Sequence, residues 1–221
     1  MALKSEPETA GVYLPEDFRE TRIEVLQDFV DRHPLATLVA NGSDGLTANH
    51  IPMHARLDAG ERGTLRGHIA RANRLWRDLA AGAPVLAIFM GADHYVSPTC
   101  YPSKREHGKV VPTWNYATVH IHGQIRFIDD AMWLRELVGS LTDAQESARS
   151  DRWQVNDAPP DYLAAMLKAI VGFEIEVNRI VGKFKGSQNR SAADRAGVRA
   201  ALASTGVPPE ALAELVPRSS P

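Results

Sequence analysis

The sequence predicts a mainly β protein: an antiparallel barrel with helical additions and a C-terminal helical tail. Three observations carry this. Strands joined by turns come first, with helices inserted at the rims, the order of an antiparallel barrel and not of a βαβ sheet. The stretch Trp114 to Phe127 alternates, with Val119, Ile121, Ile125 and Phe127 on one parity and Thr118, His120, His122, Gln124 and Arg126 on the other. Phosphate-loop and dinucleotide fingerprints are both missing. No repeat and no linker interrupts the pattern, so one domain over residues 1–221 is expected, frayed at 1–12 and with a helical extension at 187–221.

In chain order, Thr21-Arg22-Ile23-Glu24 has the form of a capping box. It opens a helix with Ile23, Leu26, Phe29 and Val30 at helical spacing, stopped by Pro34. Leu35 to Ala40 reads as a strand ending in the turn signal Asn41-Gly42-Ser43-Asp44-Gly45, and Leu46 to Leu57 as the returning strand. Pro52 inside it implies an edge or a bulge, because proline has no N–H for the ladder. Asp58 to Gly63 is the next turn. Thr64 to Ala70 follows as a third strand, and a helix runs on to Leu79.

The apolar run Pro84 to Met90 predicts a buried central strand, with His94 to Ser97 as a short neighbour. From Pro98 to Pro112 periodicity disappears, which predicts a long loop without an element of its own. Asp129 and Asp130 can cap a helix carrying Met132, Trp133, Leu137, Val138 and Leu141, and Pro159-Pro160-Asp161 precedes another. Val171 to Val181 alternates, with Phe173, Ile175 and Val177 inward and Glu174, Glu176 and Asn178 outward. A helix then spans 192–202, Gly206 ends it, and a last one follows Pro208-Pro209.

The chain is 44% hydrophobic and 24% charged, with a formal net charge of −2. That is enough for an ordinary core and lacks the basic excess of a nucleic-acid binder. Cys100 is the single cysteine, which excludes an internal disulfide and any multi-cysteine zinc site. No apolar run nears the ~20 residues of a membrane span, and the first residues lack a signal peptide's apolar core. A cytoplasmic protein without membrane contact is expected.

The segment Gly67-His68-Ile69-Ala70-Arg71-Ala72-Asn73 holds most of the chemistry. A strand-to-helix junction presents free backbone N–H groups to anions, and here it also carries His68 and Arg71. Asn49 and His50, just before Pro52, read equally as turn-proximal polarity or as ligand contacts at a bulge. His120 and His122 share a face but lack further ligands, so no metal site is expected and a structural role is. Serine and histidine both occur in the 98–112 segment, but no nucleophile elbow accompanies them; a cationic loop over an anionic ligand fits better. Trp114 reads as a core aromatic or a surface for a planar ring. Lys183, Lys185 and Arg190, beside Gln188 and Asn189, read as a solvated charge run or a phosphate site.

Taken together, His33-Pro34-Leu35-Ala36-Thr37-Leu38, Ala48-Asn49-His50-Ile51-Pro52, Gly67 to Asn73, Tyr95-Val96-Ser97-Pro98, Tyr101-Pro102-Ser103-Lys104, His107 to Tyr116 and Lys185-Gly186-Ser187-Gln188-Asn189-Arg190 resemble the PaiB-type proteins. These are FMN-binding negative transcriptional regulators. The ordered matches span residues 12–200. The resemblance implies an FMN-binding split β-barrel of the pyridoxamine-phosphate-oxidase kind, and a homodimer with its flavin at the subunit interface. It assigns His68, Ala70, Arg71 and Asn73 to the flavin phosphate and ribityl chain, with Asn49 and His50 alongside. Trp114, Asn115, Lys185, Gln188 and Arg190 would close the site, with the second subunit as one source of them.

Arg74 and Ser191 stand where these proteins often have proline, and Gly186 where an apolar residue is common, which implies looser packing there. A similar branch binds haem b and joins two nitrogens in piperazate synthesis, and in it the histidine matching His68 would ligate iron. The resemblance therefore implies a flavin-dependent oxidoreductase or a PaiB-like regulator with an unidentified small-molecule substrate. Haem and non-catalytic readings are the alternatives, and the net charge gives direct DNA contact no support.

Overall fold

The computed structural model describes residues 11–57 and 63–217. The start expected to fray and the turn at Asp58–Gly63 lie outside these, except for residues 11, 12 and 63. Seven strands form one antiparallel sheet: β1 (Arg19–Glu20), β2 (Leu35–Gly42), β3 (Gly45–Arg56), β4 (Thr64–Ala70), β5 (Ala83–Val96), β6 (Thr113–Ile128) and β7 (Ile170–Lys185). Their order is β1-β7-β4-β3-β2-β5-β6, and a further β7–β6 pairing closes the hydrogen bonding into a ring. The helices are α1 (Ile23–Arg32), α2 (Leu75–Asp78), α3 (Ser103–His107), α4 (Ala131–Glu146), α5 (Pro160–Lys168), α6 (Ala192–Ser204) and α7 (Pro209–Leu215). The mainly β class with helical additions and a C-terminal helical tail is as the sequence reads. No helix among the described residues is long and apolar enough to cross a membrane.

The chain packs as two units. Of the described residues, the middle unit comprises those within 23–89 and 120–180; the terminal unit comprises 11–22, 90–119 and 181–217. In the middle unit, the inward parity of the strands buries Leu38, Met53, Leu65, Phe89, Ile121, Ile125, Phe173 and Ile175, and α1 adds Leu26, Phe29 and Val30. Gln27 pins α1 to the end of β3: its Oε1 accepts from Leu57 N at 2.7 Å and its Nε2 donates to Ala55 O at 3.1 Å. The terminal unit buries Val96, Tyr101, Val198, Leu202, Leu212, Leu215 and Val216 around α6 and α7. Ser103 at the start of α3 donates its hydroxyl to Asp194 of α6 at 2.8 Å, and its backbone N–H to the same carboxylate at 3.1 Å.

Pro52 lies in an interior strand, not on an edge. Met53 N donates to Pro34 O at 2.9 Å, so the N–H side facing β2 is used at 53 and the opposite side would be used at 52. On that opposite side the β4 ladder starts only at Met53↔Gly67. The missing donor therefore falls where no strand needs it, at the position that would face His68 if the ladder ran one pair further.

Other boundaries differ from the sequence reading. The 98–112 segment is not a bare loop: Pro98–Cys100 forms a 3-10 turn, and α3 ends at Gly108 in the left-handed region (φ 67°). Pro98 and Pro102 supply helix-compatible φ at both starts. Residues 83–96 form one strand rather than a strand and a neighbour, and α2 is a single turn. Asp130 alone caps α4, accepting from Trp133 N at 2.8 Å. Glu174 does not face open solvent, being 9% exposed.

Candidate cofactor site

In the middle unit, β3 and β4 bring Asn49, Asn73 and the residues around His68 together. Asn73 Nδ2 donates to Asn49 Oδ1 at 2.8 Å, while Asn73 Oδ1 accepts from Leu75 N at 3.0 Å. Three of the junction's N–H groups are taken. Arg71 N donates to Ala169 O at 2.8 Å, Asn73 N to Ala70 O at 2.8 Å, and Leu75 N is held by Asn73 itself. A one-turn helix also has little dipole to offer an anion.

Arg71 is largely committed. Its Nη1 and Nη2 grip Asp129 Oδ2 and Oδ1 at 2.8 and 2.5 Å, Nε donates to Lys168 O at 2.7 Å, and Nη2 also donates to Ile170 O at 3.0 Å. Of its five N–H groups one on Nη1 is left. The hydrogen bond from Arg71 holds the Asp129 carboxyl below its usual range. Arg71 thus fastens the segment after β4 to the α4 and β7 starts. His50 and Ala70 are exposed.

His68 is half-buried, and its Nδ1 is a buried polar atom with no protein partner. Its Cα partner on β7 is Gly172, where a Cβ would lie 2.3 Å from the Trp133 ring. Burial lowers the His68 pKa below its usual 6.5. The His122 ring is also pushed down, by burial first and then by Arg179, whose Nη2 lies 2.9 Å from His122 Nε2. Groups with depressed histidine pKa values bind protons better unfolded, so their stability contribution is complete above 6.5 and is lost as pH falls below it. Urea unfolding is expected to show a lower midpoint at about pH 5.5 than at about pH 7.5, and a His68→Phe, His122→Phe variant should lose part of that difference. An undiminished difference in the variant would contradict this.

The terminal unit gathers the remaining five residues. Lys185 Nζ donates to Trp114 O at 2.6 Å and to Thr113 Oγ1, so β7 and β6 are tied at this point. Burial, then Lys183 and Arg190, lower the Lys185 pKa. Trp114 is 53% exposed and packs edge-on against Tyr95 with centroids 5.8 Å apart; it is not a core aromatic. Asn115 is 1% exposed, with its Nδ2 on Leu215 O at 2.9 Å and its amide paired with Ser187 Oγ at 3.1 Å. It presents no surface to a ligand. Gln188 accepts from Gly186 N at 2.6 Å and donates to Phe184 O. Packing at Gly186 is tight, not loose: a Cβ would sit 2.5 Å from Pro217 Cδ and 2.9 Å from Leu215 O.

The Arg190 guanidinium lies 5.0 Å from the Tyr101 ring centroid. Tyr101 is a candidate for the site that periodicity could not single out. It is 2% exposed, and its hydroxyl has no hydrogen-bond partner of good geometry. Burial raises its pKa against the opposing influence of Arg190 and Ser187. Among the described residues, the buried polar atoms without a well-placed partner are thus His68 Nδ1, an expected cofactor contact in the middle unit, and the Tyr101 hydroxyl, beside Arg190 in the terminal unit; such atoms suit a site for a polar group. No group of three or more metal-ligating side chains occurs among the described residues.

The fold class is a mainly β protein built on a ring of antiparallel strands with helical additions. The chain belongs to the family described as "Putative FMN-binding domain", which it matches over residues 12–179. It is 32% identical over 183 residues to the Protease synthase and sporulation protein PAI 2 of Bacillus subtilis, covering 83% of this chain and 85% of that one. It is 34% identical over 224 residues to the AN0679 protein of Emericella nidulans, covering 85% and 88%. Two solved structures share the fold. The flavocytochrome Anf3 of Azotobacter vinelandii is 15% identical with a TM-score of 0.57, over 75% of this chain and 68% of that one. An FAD- and haem-binding protein of Mycobacterium smegmatis is 20% identical with a TM-score of 0.56, over 80% and 78%.

Proposed function

We propose that this protein binds FMN in the manner of PaiB-type proteins and acts as a flavin-dependent oxidoreductase, as a cytoplasmic homodimer whose cofactor lies at the subunit interface. His68 carries the choice of flavin over haem. A buried N–H without a partner is disfavoured more strongly than a buried lone pair, so the proton sits on Nε2 and Nδ1 is bare. Nδ1 can then accept from a ribityl hydroxyl or ring N–H of a flavin, and the Nε2–H can donate to a flavin acceptor. Iron would need a bare Nε2 and would put an unpartnered N–H on Nδ1, where metal-bound histidines normally have a carboxylate or carbonyl.

Asn49 and Asn73 add polar contacts, and Arg71 holds their loop while offering its remaining Nη1 hydrogen to phosphate. Lys185 and Arg190 supply positive charge, and Trp114 an exposed aromatic face; these are contributed by the second copy. Asn115 and Gln188 hold the turn that carries Arg190. Bound FMN supplies hydride and single-electron transfer through its ring. The exposed Tyr95–Trp114 pair, with Met90 and Val111 exposed on the same unit, supports association of two copies.

His68→Gln, which keeps a side-chain donor, is expected to weaken FMN binding by only a few-fold in a fluorescence titration, and His68→Leu by about tenfold or more. Equal affinities in the two variants would sink the donor role. Mass measurement in solution tests the dimer. A regulatory role without turnover would show as bound FMN that reduced nicotinamide cofactors do not reduce.

A further inference from the structure

We propose that a cavity between α4 and the outer face of β3 and β4 binds the carboxylate head of a small hydroxy or amino acid. The cavity, of about 60 Å³, lies in the middle unit and is lined by His54, Arg56, Arg66, Trp133, Leu137 and Ser140, with Glu136 beside them. Its floor is a polar row set by strand register. His54 pairs with Arg66 across β3 and β4, Arg66 with Glu174 across β4 and β7, and Arg56 lies one pair further along, opposite Thr64. Its roof is one stripe of α4, because 133, 136, 137 and 140 recur at helical spacing. Helices normally cover sheets with apolar side chains on both surfaces. A floor of two arginines and a histidine beneath Trp133 and Leu137 breaks that rule, and such breaks are expected at functional sites.

The charges are arranged but not closed. Arg66 Nε donates to Glu174 Oε2 at 2.7 Å, and Arg126 Nη2 to Glu174 Oε1 at 2.6 Å, so one carboxylate is shared by two guanidiniums. Burial would raise the Glu174 carboxyl, but the hydrogen bonds from Arg126 and Arg66 outweigh it and hold it ionised. The Nη groups of Arg66 meet no protein acceptor among the described residues; its guanidinium lies 5.8 Å from the Trp133 ring centroid. Among the same residues Glu136 forms no ion pair with Arg56 or Arg66, although all three line one cavity. A ligand that is an acceptor at one end and a donor at the other satisfies both sides. A carboxylate takes the Arg66 Nη hydrogens side by side, with Arg56 and the Ser140 hydroxyl in reach of the same space. An α-hydroxyl or α-ammonium donates to Glu136. The cavity has room for a carboxylate head, and the rest of the ligand extends outward.

The test is calorimetric titration of the full-length protein with glycolate, glycine and acetate, followed by heat unfolding in each. Glycolate, glycine or both are expected to bind and raise the unfolding midpoint, with acetate about tenfold weaker for want of the donor to Glu136. Whichever of the two binds identifies hydroxy or amino acids as the source. Glu136→Leu should make all three alike, and Ser140→Leu, which fills the cavity without touching the Glu174 pairings, should remove binding of all three. FMN content should be unchanged in both variants, so the outcome does not depend on the flavin reading. No binding by any of the three, acetate equal to the others in the parent, or full binding in Ser140→Leu would each overturn the proposal.

Discussion

A Gly123→Ala variant is expected to lose about 3 kcal/mol of stability, the upper range for forcing atoms into a packed interior. Gly123 lies in β6, and a Cβ there would stand 2.3 Å from Glu176 O and 2.5 Å from Ile175 Cγ2. The first of these is backbone in a neighbouring strand, so no side-chain rotation relieves the clash. The strands must separate locally, and Ile121 and Ile125, both 0% exposed, lie two residues to either side. For a chain of this size the midpoint of thermal unfolding should fall by roughly 6–12 °C. A Gly139→Ala control, where a Cβ meets nothing within 4 Å, should be neutral or slightly stabilising because it removes a glycine from helix α4. Equal midpoints for the two variants would mean that β6 and β7 do not approach as described.

Asn115→Asp is expected to be nearly as damaging, by about 3 kcal/mol, although it changes one atom. The Asn115 amide donates to Leu215 O at 2.9 Å at a position only 1% exposed. A carboxylate there turns a donor into an acceptor facing a carbonyl, and among the described residues its partners, Ser187 and Leu215, carry no positive charge to offset the buried one. Because Ser187 adopts φ 65° and depends on the same amide, the turn leading to Gln188 and Arg190 should loosen as well. Denaturant unfolding measures the loss. The reading also expects stability to recover as pH falls, since protonation restores a donor; a variant equally unstable at every pH would contradict it.

Much of the fold was legible because it depends on local signals. The 114–127 alternation marks β6, Asp130 caps α4, and Gly206 (φ 82°) closes α6. Periodicity says which face a residue occupies but not what it meets there. Glu174 was placed outward by parity, correctly for the strand, yet Arg66 and Arg126 lie 108 and 48 residues from it and enclose it. The place of Arg71 after a strand marks a cation beside a junction but not that Asp129, 58 residues on, takes two of its donors. Asn115 and Gln188 belong to the expected cluster, but as supports for its turn. Tyr101 lies among proline-set turns, where no period exists to report its burial.

His68 and its neighbours are proposed to hold a flavin. The absorbance spectrum of the purified protein, repeated after incubation with FMN and removal of excess, tests it most directly. Flavin bands near 370 and 450 nm, about the usual positions for this chromophore, and release of FMN on denaturation are the expected result. A Soret band lost in His68→Ala, or a protein that stays colourless with added FMN, would contradict it.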